Sequence, residues 1–567
     1  MNNLIIVGSG ASFDLNLPTT RDIDYILFIL LDYNNDDIYE NPLSIEERIK
    51  KFDDLTPIKK LKKAGLYEAF KNNIVDLLMI LKDGDGETDE SVFLKKRENY
   101  IKEYVEKHYK NLGISPTDKK KEIYKNYIEE LPIKYDWLAL KSICHEIKNK
   151  LPSQKDNRLQ TLLTELEFSR LRGISVFARN LFKDSYETRK LFENDPSRLN
   201  SAINVYNIFL YKIFKHFIML AEEKDIQTYV DFYKKILMKN EFKPGTGMAD
   251  SEKYCHKTSF ATYNWDPFLP YFLMKANYEL NQEYKKVCNK DNILTKSFID
   301  FSYPFPIVKL SGDHVEKTAY SVNESTAFII NDITESFYFG KNNHLEAKMK
   351  MFFTITKLYA PHGLFNLRIC NKCGNSFMIF NNDIGKTSLT KLSHLFLNDP
   401  IPSEVDYSAL KNYKNIKKVY EKGRPDMVNC PSCGQETYFN NTYLEIQAIL
   451  KELNNPLSMK IKNGLNIAFA KADHILTFGY SFPVDDLINP LLFQDAIMMG
   501  KGDKYLSSFD GPTDGKNIDF HFYKDSSLPK DKIILKKLFK KEKIRINNYG
   551  FLKAIKNISV DKILNWK

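Results

Sequence analysis

Short apolar runs that end in turn residues recur near both ends of the chain. The first is LIIV at residues 4–7, which is followed by Gly8. Similar runs of β-branched and aromatic residues lie in 258-TSFATYNWD-266, 305-FPIVKLSG-312, 473-DHILTFGYS-481 and 517-NIDFHFYK-524. Continuous apolar runs of this kind are typical of strands buried on both faces. They alternate with helical segments and so predict an α/β fold with a doubly wound parallel sheet.

Residues 40–250 have a different pattern, in which apolar residues recur at helical spacing. Two such series are Leu162, Leu163, Leu166, Phe168 and Leu171, and Val205, Ile208, Phe209, Ile213 and Phe217. They predict a large helical insertion into the α/β domain. Two further helices are predicted over 445–453 and 465–472.

The pattern divides the chain into five segments. The α/β domain begins over 1–38, is interrupted by the helical insertion over 39–250, continues over 251–364 and is completed over 441–567. A small metal-binding module over 365–440, with an insertion of its own, separates the last two parts. The chain has 567 residues, which is enough for several units at roughly 100 to 200 residues per domain.

Composition and charge exclude several classes of protein. Hydrophobic residues make up 43% and charged residues 28%, a globular balance that argues against disorder. The net charge of +10 is too small and too dispersed to establish nucleic-acid binding, which it leaves open. The longest apolar runs stop far short of the roughly 18 residues of a membrane helix, so no membrane partner is expected. The first residues lack a secretory pattern, which predicts a cytoplasmic protein.

The turn 8-GSGAS-12 is the first candidate site. Gly8 and Gly10 after a strand allow backbone amides to approach a phosphate, as in dinucleotide-binding folds. A tight turn without a ligand is the alternative interpretation. An ordinary dehydrogenase is disfavoured, because Leu17-Pro18 interrupts the stretch where its first crossover helix must lie.

Polar residues at two later positions are further candidates. Asn264 and Asp266 follow a predicted strand, where side chains of a parallel sheet face the ligand crevice. An Asx turn that caps a helix beginning at Pro267 is the alternative. His362, in 361-PHG-363, can act as a general base near neutral pH.

Four of the seven cysteines form two pairs with metal-ligand spacing. They are Cys370 and Cys373 in CNKCG, and Cys430 and Cys433 in CPSCG. Two such knuckles match a tetrahedral four-thiolate site without an open position, which favours structural zinc. Iron is a less favoured alternative.

Taken in chain order, GSGAS, TYNWD, PHG with CNKCG, CPSCG and ADHILTFGYSFPVDD resemble the motifs of the sirtuin superfamily. Tyr263, Trp265 and the GYSFP ending are more similar to bacterial sirtuin-like NADases of antiphage defence than to protein deacylases. The matches span most of the chain outside 40–250. The resemblance implies a Rossmann-like NAD site beside a small zinc-binding module.

The resemblance also implies roles for individual residues. Asn264 and His362 would be catalytic, with His362 as the base, and Asp266 would face the nicotinamide ribose and carboxamide. The phosphates and adenosine would lie against Gly8, Gly10, Ala11, Ser12, Gly479 and Ser481. Residues 16–21, NLPTTR, lack the acidic and aromatic members of the deacylase motif. In 309-KLSGDH-314, His314 remains a rival to His362 as the base.

The expected activity is hydrolysis of NAD to nicotinamide and ADP-ribose, which would deplete NAD in abortive-infection defence against phages. The alternatives are an NAD-dependent protein deacylase or ADP-ribosyltransferase, and a non-catalytic sensor of NAD or ADP-ribose. A homo-oligomer and a phage-derived trigger or co-encoded partner protein are expected. The 39–250 insertion is the expected assembly and trigger region, on its size alone.

Overall fold

The structure is a computed structural model. It describes residues 2–18, 23, 26, 56–67, 70, 197–218, 220–239, 256–288, 297–300, 307–311, 314–316, 354–380, 428–437, 442–444, 456–480, 504–509, 544–547 and 550–565. The strand predicted over 517–524, the helix predicted over 445–453, the helical series at 162–171 and Ser481 lie outside these residues.

The described residues form the following strands and helices. The strands are β1 (Asn3–Val7), β2 (Thr258–Thr262), β3 (Ser297–Asp300), β4 (Ile307–Ser311), β5 (His314–Glu316), β6 (Thr354–Tyr359), β7 (Gly363–Ile369), β8 (Ser376–Phe380), β9 (Val428–Asn429), β10 (Glu436–Thr437), β11 (Thr442–Leu444), β12 (His474–Phe478), β13 (Tyr505–Phe509) and β14 (Ile544–Asn547). The helices are α1 (Ser9–Phe13), α2 (Thr56–Lys63), α3 (Ser197–Ile218), α4 (Glu223–Lys239), α5 (Phe268–Cys288), α6 (Pro456–Lys471), α7 (Phe551–Asn557) and α8 (Val560–Leu564).

A parallel sheet forms the centre of the α/β unit. Its strand order is β14-β13-β12-β1-β2-β6-β3, and each neighbouring pair is parallel. The predicted α/β fold with a parallel sheet is therefore confirmed, and its topology is consistent with a Rossmann-like fold. The strands that follow β1 in the sequence, β2, β3 and β6, lie on one side of it. The later strands β12, β13 and β14 lie on its other side. The order thus reverses between β1 and β12, where open α/β sheets bind ligands.

Aromatic side chains pack between the sheet and its helices. Phe478 of β12 stacks on Phe551 of α7 with ring centroids 4.0 Å apart. Tyr229 of α4 stacks on Phe272 of α5 at 5.0 Å. All four side chains belong to the main hydrophobic core, where burial of each contributes about 1.5 to 3 kcal/mol. Helices α3 and α4 lie within the predicted 39–250 insertion, yet residues of both helices belong to this core.

The turn after α1 is tied to the C-terminal helices. The Asp14 carboxylate accepts a hydrogen bond from the Leu552 amide at 2.7 Å, in the first turn of α7. A Cβ on Gly550 would lie 2.7 Å from Asp14 Oδ1, so glycine gives the carboxylate room to approach the helix. Burial raises the pKa of Asp14 against the effect of this hydrogen bond.

A second sheet has the order β11-β7-β8-β4-β5, and β9 and β10 form a separate two-stranded hairpin. The strand predicted in 305–312 is β4, which pairs with β8 of this second sheet. Strands β4, β5 and β11 lie outside the range 365–440 that was predicted for the small module. Within the described ranges, every helix is too short or too polar to span a lipid bilayer.

A fully buried histidine lies at the amino end of β12. His474 Nδ1 donates to the Leu564 carbonyl at 3.1 Å, so Nε2 accepts from the Ser507 hydroxyl at 2.7 Å. Burial lowers the pKa of His474 to about 4, which keeps the ring neutral at physiological pH.

Acidification should therefore destabilise the fold through His474. The unfolded chain binds this proton near pH 6.5, whereas the folded chain binds it only near pH 4. The free energy of unfolding should fall by up to about 3 kcal/mol across this interval. Denaturant titrations between pH 7.5 and pH 4 should show a smaller loss for His474→Gln than for the wild type. Equal losses in the two proteins would contradict a neutral buried His474.

Candidate functional site

The predicted site residues follow the ends of four neighbouring strands. Gly8 follows β1, Gly479 follows β12, Asn264 lies two residues after β2, and His362 lies three residues after β6. Val7 is paired with Thr262 on one side and with Phe478 on the other, so the ends of β1, β2 and β12 are level. Because these strands are parallel, their carboxyl ends meet at one edge of the sheet.

Three glycines bring the turns after β1 and β12 into backbone contact. Gly10 donates to the Gly479 carbonyl at 3.0 Å, and Gly8 donates to Phe478 at 2.9 Å. Gly479 has φ +60, and a Cβ there would lie 2.1 Å from the Ala11 nitrogen. A Cβ on Gly8 would lie 2.5 Å from the Gly479 oxygen. Glycine is required here because the two backbones touch.

The amides in this turn are also engaged within the protein. Besides Gly8 and Gly10, Ala11 donates to the Gly8 carbonyl at 3.0 Å. These contacts match the alternative interpretation of the GxG sequence as a tight turn. The predicted contacts of Gly8, Gly10 and Ala11 with phosphates stay a prediction.

Asn264 connects the end of β2 to the turn after β1. Its Nδ2 donates to the Gly8 carbonyl at 3.0 Å and to Ser12 Oγ at 2.7 Å. Its backbone amide donates to Thr262 Oγ1 at 3.2 Å. The side chain is 6% exposed, and Oδ1 is buried without a hydrogen-bond partner among the described residues. A buried amide oxygen of this kind is suited to accept from a ligand hydroxyl or a water.

Asp266 completes a chain of polar contacts that begins at Asn264. The Ser12 hydroxyl donates to Asp266 Oδ2 at 2.8 Å, and the Phe268 amide donates to Oδ1 at 3.1 Å. The second contact caps α5, as the Asx-turn alternative predicts. Burial raises the pKa of Asp266 to about 6, although the hydrogen bonds from Ser12 and Phe268 lower it.

His362 lies against the residue that precedes Asn264. Its Nδ1 donates to the Tyr263 carbonyl at 3.1 Å, so in the neutral ring the basic lone pair belongs to Nε2. The Phe365 amide donates to the Trp265 carbonyl at 2.9 Å and holds the two segments together. His362 is 2% exposed. The structure therefore places His362 next to the segment that carries Asn264, at the carboxyl ends of the parallel strands.

Gly363 allows the chain to turn sharply after His362. It has φ +75, and a Cβ there would lie 2.0 Å from the Tyr443 oxygen. Its amide donates to the Ala360 carbonyl at 3.0 Å. This turn separates β6 of the main sheet from β7 of the second sheet, and His362 lies at the junction.

The rival base lies elsewhere in the backbone. His314 begins β5, the edge strand of the second sheet, and pairs there with Ser311. Strands β8 and β4 separate β5 from β7, a distance of roughly 14 Å at about 4.8 Å per strand. Of these two histidines, His362 is therefore the one whose backbone lies at the carboxyl ends of the parallel strands.

Two tyrosines beside this site have contacts that the sequence pattern did not predict. Tyr263 and Tyr480 stack with ring centroids 4.5 Å apart, and the His362 ring meets Tyr263 edge-on at 4.9 Å. Tyr480 also packs on Gly8, whose missing Cβ would lie 2.7 Å from its Cα. The signal in the sequence was their position, since each tyrosine lies one or two residues beyond a strand.

The four predicted metal ligands come together between the second sheet and the β9–β10 hairpin. All four Sγ atoms lie within 4.8 Å of one another. Cys370 and Cys433 are 3.6 Å apart, as are Cys373 and Cys430. A tetrahedral site with metal–sulfur bonds of about 2.3 Å has sulfur atoms about 3.8 Å apart. The cluster can therefore bind a metal such as zinc.

Each cysteine pair lies at the tip of a β-hairpin. Cys370 and Cys373 join β7 to β8, whereas Cys430 and Cys433 join β9 to β10. In both tips the glycine after the second cysteine has a positive φ and donates to the carbonyl of the first, at 2.8 Å from Gly374 and 2.9 Å from Gly434. The two hairpins thus present their thiols in equivalent turns.

The backbone of the first tip favours a thiolate. Burial raises the pKa of Cys370, but hydrogen bonds from the amides of Cys373 and Lys372 contribute to bringing it down to about 7. Thiolates are the ligands that zinc requires.

No protein-family model matches this chain, and no curated protein matches it at a significant level.

The contact at Gly479 should be intolerant of a side chain. Gly479→Ala places an alanine in the left-handed region of φ and presses its Cβ against the backbone of α1. The substitution should lower the free energy of unfolding by on the order of 3 kcal/mol. Gly65→Ala is the matched control, since Gly65 has φ +72 but nothing within 4 Å of its Cβ position. It should cost about 1 kcal/mol. Equal losses in denaturant titrations would show that the backbone contact is not tight.

The cysteine cluster should hold one divalent metal ion per chain. Elemental analysis of the purified protein should find it, and Cys373→Ser should lose most of it because three thiolates bind more weakly than four. Asn371→Ser changes an exposed residue of the same tip and should retain the metal. Full metal content in Cys373→Ser would contradict a four-cysteine site.

Proposed function

We propose that this chain is an NAD hydrolase, which cleaves NAD to nicotinamide and ADP-ribose. The observation that carries the proposal is the hydrogen bond from His362 Nδ1 to the Tyr263 carbonyl, which holds a histidine beside Asn264 at the ends of the parallel strands. Asn264 and His362 are 98 positions apart in the sequence, and both belong to motifs that resemble those of sirtuin-like NADases.

The topology supports a dinucleotide at this edge of the sheet. Ligands of open α/β sheets bind outside the carboxyl ends of the strands, where the strand order reverses. Here that point lies between β1 and β12, beside Gly8 and Gly479. The adenosine and phosphates are proposed to lie there, against the turns that carry Gly8, Gly10 and Gly479. The nicotinamide ribose is proposed to lie towards β2 and β6, which carry Asn264 and His362.

The chemistry of NAD hydrolysis matches the groups at the end of β2. Cleavage of the bond between nicotinamide and ribose develops positive charge at the anomeric carbon. Asn264 Oδ1 accepts a hydrogen bond from the attacking water or from a ribose hydroxyl. His362 Nε2 accepts the proton as the nucleophile attacks, and a well-placed base of this kind contributes about 100- to 10,000-fold to the rate.

Charge near the site favours the same reaction. With a pKa of about 6, Asp266 is mostly ionised at neutral pH. A carboxylate linked to Asn264 through Ser12 adds negative potential close to the developing cation, in surroundings where water is excluded. The electrostatics therefore favour the transition state over the bound substrate.

The metal is proposed to be zinc with a structural role. Four thiolates fill a tetrahedral site and leave no position for water or substrate. Cys370, Cys373, Cys430 and Cys433 would hold it, and it would supply cross-linking of the two hairpins. Arg368 of β7 provides a second connection, since its guanidinium donates to the Thr437 carbonyl at 2.9 Å.

The cellular role is proposed to be NAD depletion during phage infection, in the cytoplasm. Uncontrolled NAD loss kills the host cell, so the enzyme requires a trigger, either phage-derived or encoded by a partner gene. A homo-oligomer is part of the same proposal. These statements rest on the resemblance of the motifs.

Removal of either catalytic side chain should abolish activity. Asn264→Ala and His362→Ala should each lower the rate of nicotinamide release by about 100-fold or more. Chromatography of NAD and its products after incubation with purified protein, with and without phage lysate, measures this rate. Nicotinamide release that requires an added acylated peptide would instead favour a deacylase.

A matched control separates catalysis from folding. His256 is also buried, but it precedes β2 and thus lies at the opposite end of the strand from Asn264. His256→Ala should retain activity. It is compared with the catalytic variants in preparations that have equal thermal unfolding midpoints. Full activity in both Asn264→Ala and His362→Ala would refute the assignment.

A further inference from the structure

We propose that Asp266 and Ser12 are positioning residues, which fix the orientation of the Asn264 amide only while the Asp266 carboxyl is ionised. The proposal rests on the proposed function, because it concerns the same site. It differs from a role in contacting NAD, since both residues act through Asn264. The resulting hydrogen-bond chain, from Asn264 through Ser12 to Asp266, is called the relay below.

The orientation of Asn264 follows from its acceptors. The Gly8 carbonyl has no proton to give, so the atom of Asn264 that lies 3.0 Å from it must be the donor Nδ2. Ser12 Oγ takes the second N–H of the same amide at 2.7 Å. Both donors are thereby used, and Oδ1 remains as the group that Asn264 offers to a substrate.

The direction of the Ser12 hydroxyl is also determined. A serine hydroxyl has one proton, and a carboxylate can only accept, so the proton points to Asp266 Oδ2 at 2.8 Å. The lone pairs of Oγ are then available to Asn264. An ionised Asp266 therefore keeps Ser12 as an acceptor towards the amide.

Asp266 itself is fully engaged inside the protein. Oδ2 accepts from Ser12 and Oδ1 accepts from the Phe268 amide, while the residue is 2% exposed. A cavity of about 10 Å³ adjoins it, which is large enough for at most one water. A ribose or a carboxamide does not fit into this cavity.

Protonation of Asp266 would reverse the relay. A carboxylic acid donates to Ser12 Oγ, so the hydroxyl proton must turn away and can face the Asn264 donors. The contact between Ser12 and Asn264, one of the two that hold the amide, is then weakened, because the hydroxyl proton competes with Asn264 Nδ2 for the space around Oγ. The pKa of about 6, raised by burial, places this change just below neutral pH.

The groups around Asp266 do not titrate in the same interval. Helix α1 faces it with the Ser12 hydroxyl, and α4 faces it with the phenols of Tyr229 and Tyr233. Burial raises the pKa of both phenols well above the ordinary value, so both stay neutral. Val7 of β1, and Phe551 of α7, contribute apolar surface only.

The test is the pH dependence of the ratio of kcat between the wild type and Asp266→Asn. The variant presents an amide to Ser12 and imitates the protonated state. At pH 7.5 its kcat should be about 10- to 100-fold lower with KM little changed, because a misplaced group costs rate rather than affinity. As the pH falls below 6 the ratio should decrease steadily towards 1, since the wild type becomes protonated as well. Ser12→Ala should give the same trend.

Asp14→Asn is the matched control, because Asp14 is another carboxyl whose pKa is raised by burial, but it is only partly buried and is hydrogen-bonded to α7. Its kcat ratio to the wild type should stay near 1 at each pH. A ratio for Asp266→Asn that is equal to 1, or the same at every pH, would overturn the relay.

A measurement without turnover separates this inference from the proposed function. In protein labelled with ¹⁵N-asparagine, the side-chain amide signal of Asn264, assigned by its loss in Asn264→Ala, should shift with a midpoint near pH 6. The shift should be absent in Asp266→Asn. If the wild type never releases nicotinamide but the signal titrates, the proposed function fails and the relay stands. A signal that does not titrate in the wild type refutes the relay even if NAD is hydrolysed.

Discussion

The direct backbone contact between the turns after β1 and β12 is the constraint on which the site depends. Gly10 and Gly479 are hydrogen-bonded at 3.0 Å, and the missing Cβ of Gly479 would lie 2.1 Å from the next turn. Because neither backbone has room to move, the Gly8 carbonyl and Ser12 hydroxyl are fixed relative to the sheet. Asn264 is then held by these two groups, and His362 by the adjacent carbonyl of Tyr263.

The polar groups at this edge of the sheet are buried, so their orientation is determined by the hydrogen bonds they make. An unpaired polar group in the interior costs about 1 to 3 kcal/mol, so each donor has a strong preference for one acceptor. Asn264, Ser12 and Asp266 are joined by hydrogen bonds, and within this group Asn264 Oδ1 is the buried acceptor without a partner among the described residues. The orientation of this acceptor depends on the protonation state of the buried Asp266 carboxyl behind it.

Local patterns were sufficient to predict part of this structure. The strands at LIIV and DHILTF, the parallel sheet and the four clustered cysteines are confirmed, since apolar runs and CxxC spacing are local signals. The placement of β4 in the second sheet was not predictable, because strand pairing depends on residues far apart in sequence. The contact of Ser12 with Asp266 spans 254 positions and leaves no local signal. For Asp266, the sequence is compatible both with a helix cap and with a position in the ligand crevice, and the structure shows the cap.

The most direct test of the account follows the oxygen atom of the attacking water. NAD is incubated with the purified protein in H₂¹⁸O, the products are separated, and their molecular masses are measured by mass spectrometry. The account predicts equal amounts of nicotinamide and ADP-ribose, with one ¹⁸O atom on the ribose. Nicotinamide accompanied by ribose attached to the protein or to another acceptor would contradict hydrolysis, as would unchanged NAD in the presence of a triggering phage lysate.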